Sequence, residues 1–142
     1  DDAAWATLEL DGGAIASVEV SRLATGAKNR LTVELFGTRG ALRFDLENPN
    51  ELWFLDATLP VAEQGFTRVL VTEPEHPYLE AWWPQGHVLG WENAFTHQAR
   101  DLLLAIDGSA GFSPDFADGL ALQRVLDAII ESDAADGASI AL

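Results

Sequence analysis

Residues 82–98, WWPQGHVLGWENAFTHQ, carry three of the five tryptophans and two of the three histidines of this 142-residue chain. Indole faces can floor an apolar or sugar-like ligand, and an imidazole can hydrogen-bond a hydroxyl or a carbonyl. His87 follows Pro84 and Gly86 in a loop just before a helix start, which suits a pocket role. His97 falls inside the helical stretch, where a histidine is more often a surface or packing residue. Trp82, Trp83 and Trp91 either line a pocket or pin a long loop by packing.

Other chemistries find less support. His76, His87 and His97 lie about ten residues apart, with no i, i+4 pair of the kind that converges on a metal. No metal site is expected. Glu73 and Glu75 flank Pro74 and are read as solvated loop charges rather than a glycosidase acid–base pair. No G-x-G-x-x-G, G-x-x-x-x-G-K-[ST] or G-x-S-x-G occurs, so dinucleotide, triphosphate and nucleophile-elbow loops have no basis here.

The net charge of −15 argues against nucleic acid or an anionic membrane as partner. Five of the eight basic residues, Arg22, Lys28, Arg30, Arg39 and Arg43, fall between positions 22 and 43, where Glu34 is the only acid. That patch faces an anionic group or is a solvated sheet face. The absence of cysteine excludes disulfides and fits a cytoplasmic protein. No apolar run approaches the roughly 20 residues of a membrane span. The chain opens on Asp1 rather than Met, as expected of a fragment or a processed chain.

The elements that would position these residues are legible as periodicity. Ala4–Leu10 alternates as a half-buried strand, Asp11-Gly12-Gly13 turns the chain, and Ala14–Leu23 is a second strand. Leu31–Phe36 is a third. Gly37-Thr38-Arg39-Gly40 turns it into a fourth, with Leu42, Phe44 and Leu46 inward. Leu52–Leu55 and Phe66–Thr72 are read as two more, antiparallel to their neighbours because the connections are short. Trp5, Thr7, Glu9, Ser17, Glu19, Thr32 and Phe36 would form a mixed outer face, either solvated or met by a second copy.

Apolar spacing predicts a helix over 91–107 and a second to about Ala134, with Ser113 as N-cap and Pro114 at the first helical position. Ser139–Leu142 is read as a last short strand. The expected class is α+β: an open, mainly antiparallel sheet with helices packed on one face and the other free for oligomerisation.

The stretches NRLTVELFGTRGALRFDLE, ATLELDGGAIASVEVSR, GHVLGWENAFTHQARDLLLAI and FSPDFADGLALQRVLDAIIES together resemble the C-terminal domain of the Gfo/Idh/MocA oxidoreductases. The first resembles the family's G-T-x-G-x-L-x-F hairpin, and the resemblance covers essentially the whole chain. It implies a parent with an N-terminal Rossmann domain holding NAD or NADP, with substrate in the cleft between the domains. It also implies a homo-oligomer, dimer or tetramer, built on open sheet faces. The family's E-K-P lysine and D-x-x-x-H histidine do not occur in these residues, so no catalytic residue and no cofactor site is expected within them.

In such a parent, hydride passes between a secondary alcohol of a sugar or cyclitol and the nicotinamide. This domain would orient the alcohol rather than supply the base. By position, the substrate wall would include His87, then Trp83 and Trp91, with Arg22 and Lys28 as weaker candidates. The alternatives are a non-catalytic binding or scaffold module of a dehydrogenase-like protein, and a stand-alone α+β hydrolase or isomerase.

Overall fold

The computed structural model describes residues 2–142. In chain order the elements are β1 (Ala3–Glu9), β2 (Ile15–Ser21), β3 (Thr32–Gly37), β4 (Gly40–Asp45), β5 (Glu51–Asp56), β6 (Thr67–Leu70), α1 (Trp91–Ile106) and α2 (Phe116–Ala134). Short 3-10 turns cover Val61–Glu63 and Leu79–Ala81. All strand pairs are antiparallel, and the class is α+β. The chain divides into two compact units, one of Asp1–Thr25 with Leu104–Leu142 and one of Gly26–Leu103.

In the first unit β1 and β2 form a hairpin with Trp5 opposite Glu19 and Thr7 opposite Ser17. Ala6, Leu8 and Ala16 on the other face are half-buried, as the alternation requires. Gly12 and Gly13 take φ of 91° and 84°, which only glycine adopts freely, and the Leu10 N–H closes the turn on the Ala14 carbonyl.

Helix α2 begins two residues later than its Ser-Pro signal suggests. Asp115 is the N-cap: its carboxylate accepts from the Ala117 and Asp118 N–H groups at 2.7 and 3.1 Å. Asp118 accepts in return from the Asp115 N–H at 2.8 Å. A reciprocal carboxylate box satisfies more orphan donors than one serine hydroxyl, and it places negative charge where the helix dipole favours it. Ser139–Leu142 forms no strand, because it has no ladder partner among the described residues.

The second unit is built on a four-stranded meander in the order β3-β4-β5-β6. The expected antiparallel pairing is present, with the hydrogen-bonded ladder divided into a two-stranded and a four-stranded sheet. After β2 the connection spends its backbone donors elsewhere: the Lys28 and Asn29 N–H groups both donate to one Glu47 carboxylate oxygen, at 2.9 and 3.0 Å.

Register puts Val33, Leu35, Leu42, Phe44, Leu52, Phe54 and Val69 on one face of the meander. The opposite face carries Phe36, Glu34, Arg43, Trp53 and Arg68. There Arg43 lies 4.0 Å from the Phe66 ring centroid and pairs with Glu34 at 3.0 Å. Gly40 is required at the β3–β4 turn, since a Cβ there would run into the Leu55 carbonyl oxygen. Ala41, Leu79 and Thr72 are the buried side chains among the described residues, and all three belong to this unit.

Candidate functional site: the loop between β6 and α1

The strap from Val71 to Gly90 lies wholly in the second unit, between β6 and α1. It leaves the sheet at Val71, whose N–H donates to the Asn50 carbonyl at 2.9 Å. Thr72 follows, 2% exposed. The Glu73 N–H then donates to His76 Nδ1 at 3.0 Å, so that nitrogen carries the lone pair. Tyr78 adopts φ of 69°, a left-handed conformation that is uncommon for an aromatic residue and costs backbone energy.

What the strap gains is a side-chain lattice on α1. Tyr78 stacks on His97 with ring centroids 4.5 Å apart, and its hydroxyl donates to Asp101 Oδ2 at 2.7 Å. That hydrogen bond, and next the Asp101 charge, hold the Tyr78 hydroxyl above its ordinary titration range. The Trp82 indole N–H donates to His97 Nε2 at 2.7 Å. His97 is therefore an acceptor locked between two rings, a packing histidine.

The next segment turns at Pro84–His87. The His87 N–H donates to the Pro84 carbonyl at 3.2 Å, and His87 Nδ1 lies 2.7 Å from the same oxygen. Since a carbonyl only accepts, Nδ1 bears the proton and Nε2 is left as a free acceptor facing solvent. The Gly86 N–H donates to Thr72 Oγ1 at 3.2 Å. Asn50 makes two bonds to Leu89: its Nδ2 donates to the Leu89 carbonyl at 2.8 Å, and its Oδ1 accepts from the Leu89 N–H at 2.8 Å.

Of the residues expected at the site, Trp83 and His87 are brought together, with ring centroids 5.9 Å apart and both exposed. Trp91 opens α1 with its ring against Phe95. Lys28 is exposed in the loop that Glu47 holds. Arg22 is exposed in the first unit, its N–H donating to the Asp2 carbonyl. Arg30 and Arg43 of the basic patch are paired with Asp45 and Glu34, leaving Arg22, Lys28 and Arg39 without an acidic partner among the described residues.

Beneath the strap is a cavity of about 300 Å³, bordered by Asn50, His76, Tyr78, Leu89, Asn93 and His97 among others. None of the five expected residues lines it. Asn50 had no sequence signal, because its partner Leu89 is brought to it only by the fold, whereas His76 and Asn93 take the N–H groups of Glu73 and Gly90, three residues earlier. Among the described residues no three His, Asp or Glu side chains gather as a metal site.

The sequence pattern "Oxidoreductase family, C-terminal alpha/beta domain" matches residues 1–142. The chain belongs to the Gfo/Idh/MocA oxidoreductase family as its C-terminal α/β domain. Within that family it is 36% identical over 135 residues to levoglucosan dehydrogenase of Pseudarthrobacter phenanthrenivorans, covering 94% of the chain and 34% of that protein.

The crystal structure of an oxidoreductase domain protein from Kribbella flavida matches with a TM-score of 0.92 and 48% identity, over 96% of this chain and 35% of that one. Levoglucosan dehydrogenase in complex with NADH and levoglucosan matches with a TM-score of 0.88 over 94% of this chain and 36% of that one. The Gfo/Idh/MocA domain seen here thus spans about a third of the length of these relatives.

Proposed function

We propose that this chain is the substrate-orienting and oligomer-forming domain of an NAD-dependent oxidoreductase acting on a sugar or related polyol. The observation that carries the reading is likeness along nearly the whole chain to levoglucosan dehydrogenase, which is known in complexes with NADH and with levoglucosan or L-sorbose. Among the described residues all strand pairs are antiparallel, and no strand runs through a glycine turn into a helix as a dinucleotide site of that kind requires, which supports a cofactor held elsewhere in the protein. A Rossmann domain N-terminal to this one would hold it, in a full-length protein of the cytoplasm.

Within this domain the turn carrying Trp83 and His87 is the substrate wall. An exposed indole offers an apolar floor for the C–H face of a sugar, and His87 Nε2 offers an acceptor for one hydroxyl. Together they orient the alcohol, while the reacting base lies outside this chain. Trp91 extends the apolar rim, and Lys28 is a weaker contact. Exposed apolar groups on the meander, Phe36 at 68% and Leu35 at 58%, support a second copy or a neighbouring domain as cover.

The test is a panel of levoglucosan, L-sorbose, myo-inositol and glucose offered to the full-length protein with NAD. His87→Ala is expected to raise KM about tenfold, the worth of one hydrogen bond to substrate, and to leave NADH affinity unchanged. Unaltered kinetics would remove His87 from the wall. A panel with no turnover would favour the scaffold alternative.

A further inference from the structure

The Trp83–His87 turn has exposed side chains and few ties to the sheet, yet the reading above needs it held to within a fraction of an ångström. Its ties are concentrated in two polar side chains. The Asn50 carboxamide, immediately before β5, takes both the N–H and the carbonyl of Leu89, 39 residues further on, with both bonds at 2.8 Å. Buried Thr72, two residues past β6, accepts the Gly86 N–H at 3.2 Å. The Asn50 backbone is itself fastened, since its carbonyl accepts from Val71 at 2.9 Å. Two anchors at the sheet's margin, one just before β5 and one just after β6, thus hold the turn at Gly86 and just beyond it at Leu89.

We propose that Asn50 and Thr72 are positioning residues that latch the Trp83–His87 wall onto the sheet and so set the fit of the substrate. This rests on the reading of that turn as a substrate wall. A carboxamide suits the task because it presents a donor and an acceptor side by side, matching one residue's carbonyl and N–H. No other side chain of that length does so. Asp keeps the shape but sets a carboxylate oxygen against the Leu89 carbonyl, so it should fail as Ala does. At Thr72 the hydroxyl is what matters, so Ser should serve and the isosteric Val should not.

The experiment uses the full-length protein carrying Asn50→Ala, Asn50→Asp, Thr72→Val or Thr72→Ser. Amide hydrogen exchange is followed at Gly86 and Leu89, and kinetics are measured with whichever panel sugar gives the highest kcat/KM. Asn50→Ala and Asn50→Asp are expected to speed exchange at Leu89 by more than about tenfold, the loss of one to two hydrogen bonds. They should raise KM by a similar factor, with kcat within about twofold and NADH affinity unchanged. Thr72→Val should do the same more weakly at Gly86, and Thr72→Ser should restore it.

Exchange unchanged in Asn50→Ala would overturn the latch. Faster exchange with KM unchanged would keep the latch but remove its link to substrate, and with it the substrate-wall reading. If no panel sugar is oxidised, the sugar-substrate reading fails by itself, and exchange alone decides the latch.

Discussion

At the scale of single residues, the two histidines of the tryptophan-rich stretch are separated by the bonds their ring nitrogens make. His97 gives its Nε2 lone pair to Trp82 and its face to Tyr78, while His87 keeps Nε2 free beside Trp83. The packing role of His97 was legible because it sits inside a helix pattern, while His87 was singled out because it follows a Pro-Gly loop. The sequence raised His76 only as a candidate metal ligand, not as the acceptor for the nearby Glu73 N–H, and it was silent on Asn50, whose partner Leu89 lies across a fold-dependent gap.

Asp56 makes a residue-scale prediction about pH. Its pKa is lowered first by the Thr58 hydroxyl, at 2.6 Å, and next by the Thr58 N–H, at 2.8 Å. A depressed folded pKa stabilises the fold above the unfolded value, about 3.9, and that contribution is lost as pH falls through the folded value. Thr58→Ala should bring the Asp56 titration part-way back toward the ordinary 3.8, since the backbone N–H remains. Carboxyl carbon chemical shifts followed by NMR would read it, and an unmoved midpoint would mean the hydroxyl is not the main cause.

At the scale of elements, the strands were legible because alternation and glycine turns are local signals. Helix α2 started late because a carboxylate box at Asp115 and Asp118 outbid the Ser-Pro signal. Ser139–Leu142 was misread because a short apolar run says nothing about whether a partner strand exists. The division into two sheets was not legible either, since Glu47 captures the Lys28 and Asn29 donors from a distance in sequence.

The β3–β4 hairpin carries the prediction that belongs here. At Gly40 the obstacle to a Cβ is the Leu55 backbone, which cannot rotate away, whereas at Gly37 the nearest atom is 3.7 Å off. Gly40→Ala should cost about 1–3 kcal/mol, the range for overpacking, and Gly37→Ala distinctly less. Urea unfolding followed by circular dichroism would show it. Equal losses would mean that the close approach to Leu55 is relieved by a small backbone shift.

At the scale of the whole molecule, few side chains are buried and many large apolar ones are not: Trp5 is 69% exposed and Phe36 68%. Surfaces of this kind are interfaces in waiting. The full-length protein should therefore sediment as a dimer or larger at micromolar concentration; a monomer there would leave only domain contacts to cover these groups. No helix among the described residues is long and apolar enough to cross a membrane.

The role proposed for this domain is to shape the substrate site of an NAD-dependent oxidoreductase whose cofactor is held elsewhere in the protein. The most direct measurement is an NADH fluorescence titration of this chain and of the full-length protein side by side. Saturable binding by the full-length protein and none by the chain is the predicted result. Binding by the chain alone, or by neither protein, would contradict the claim.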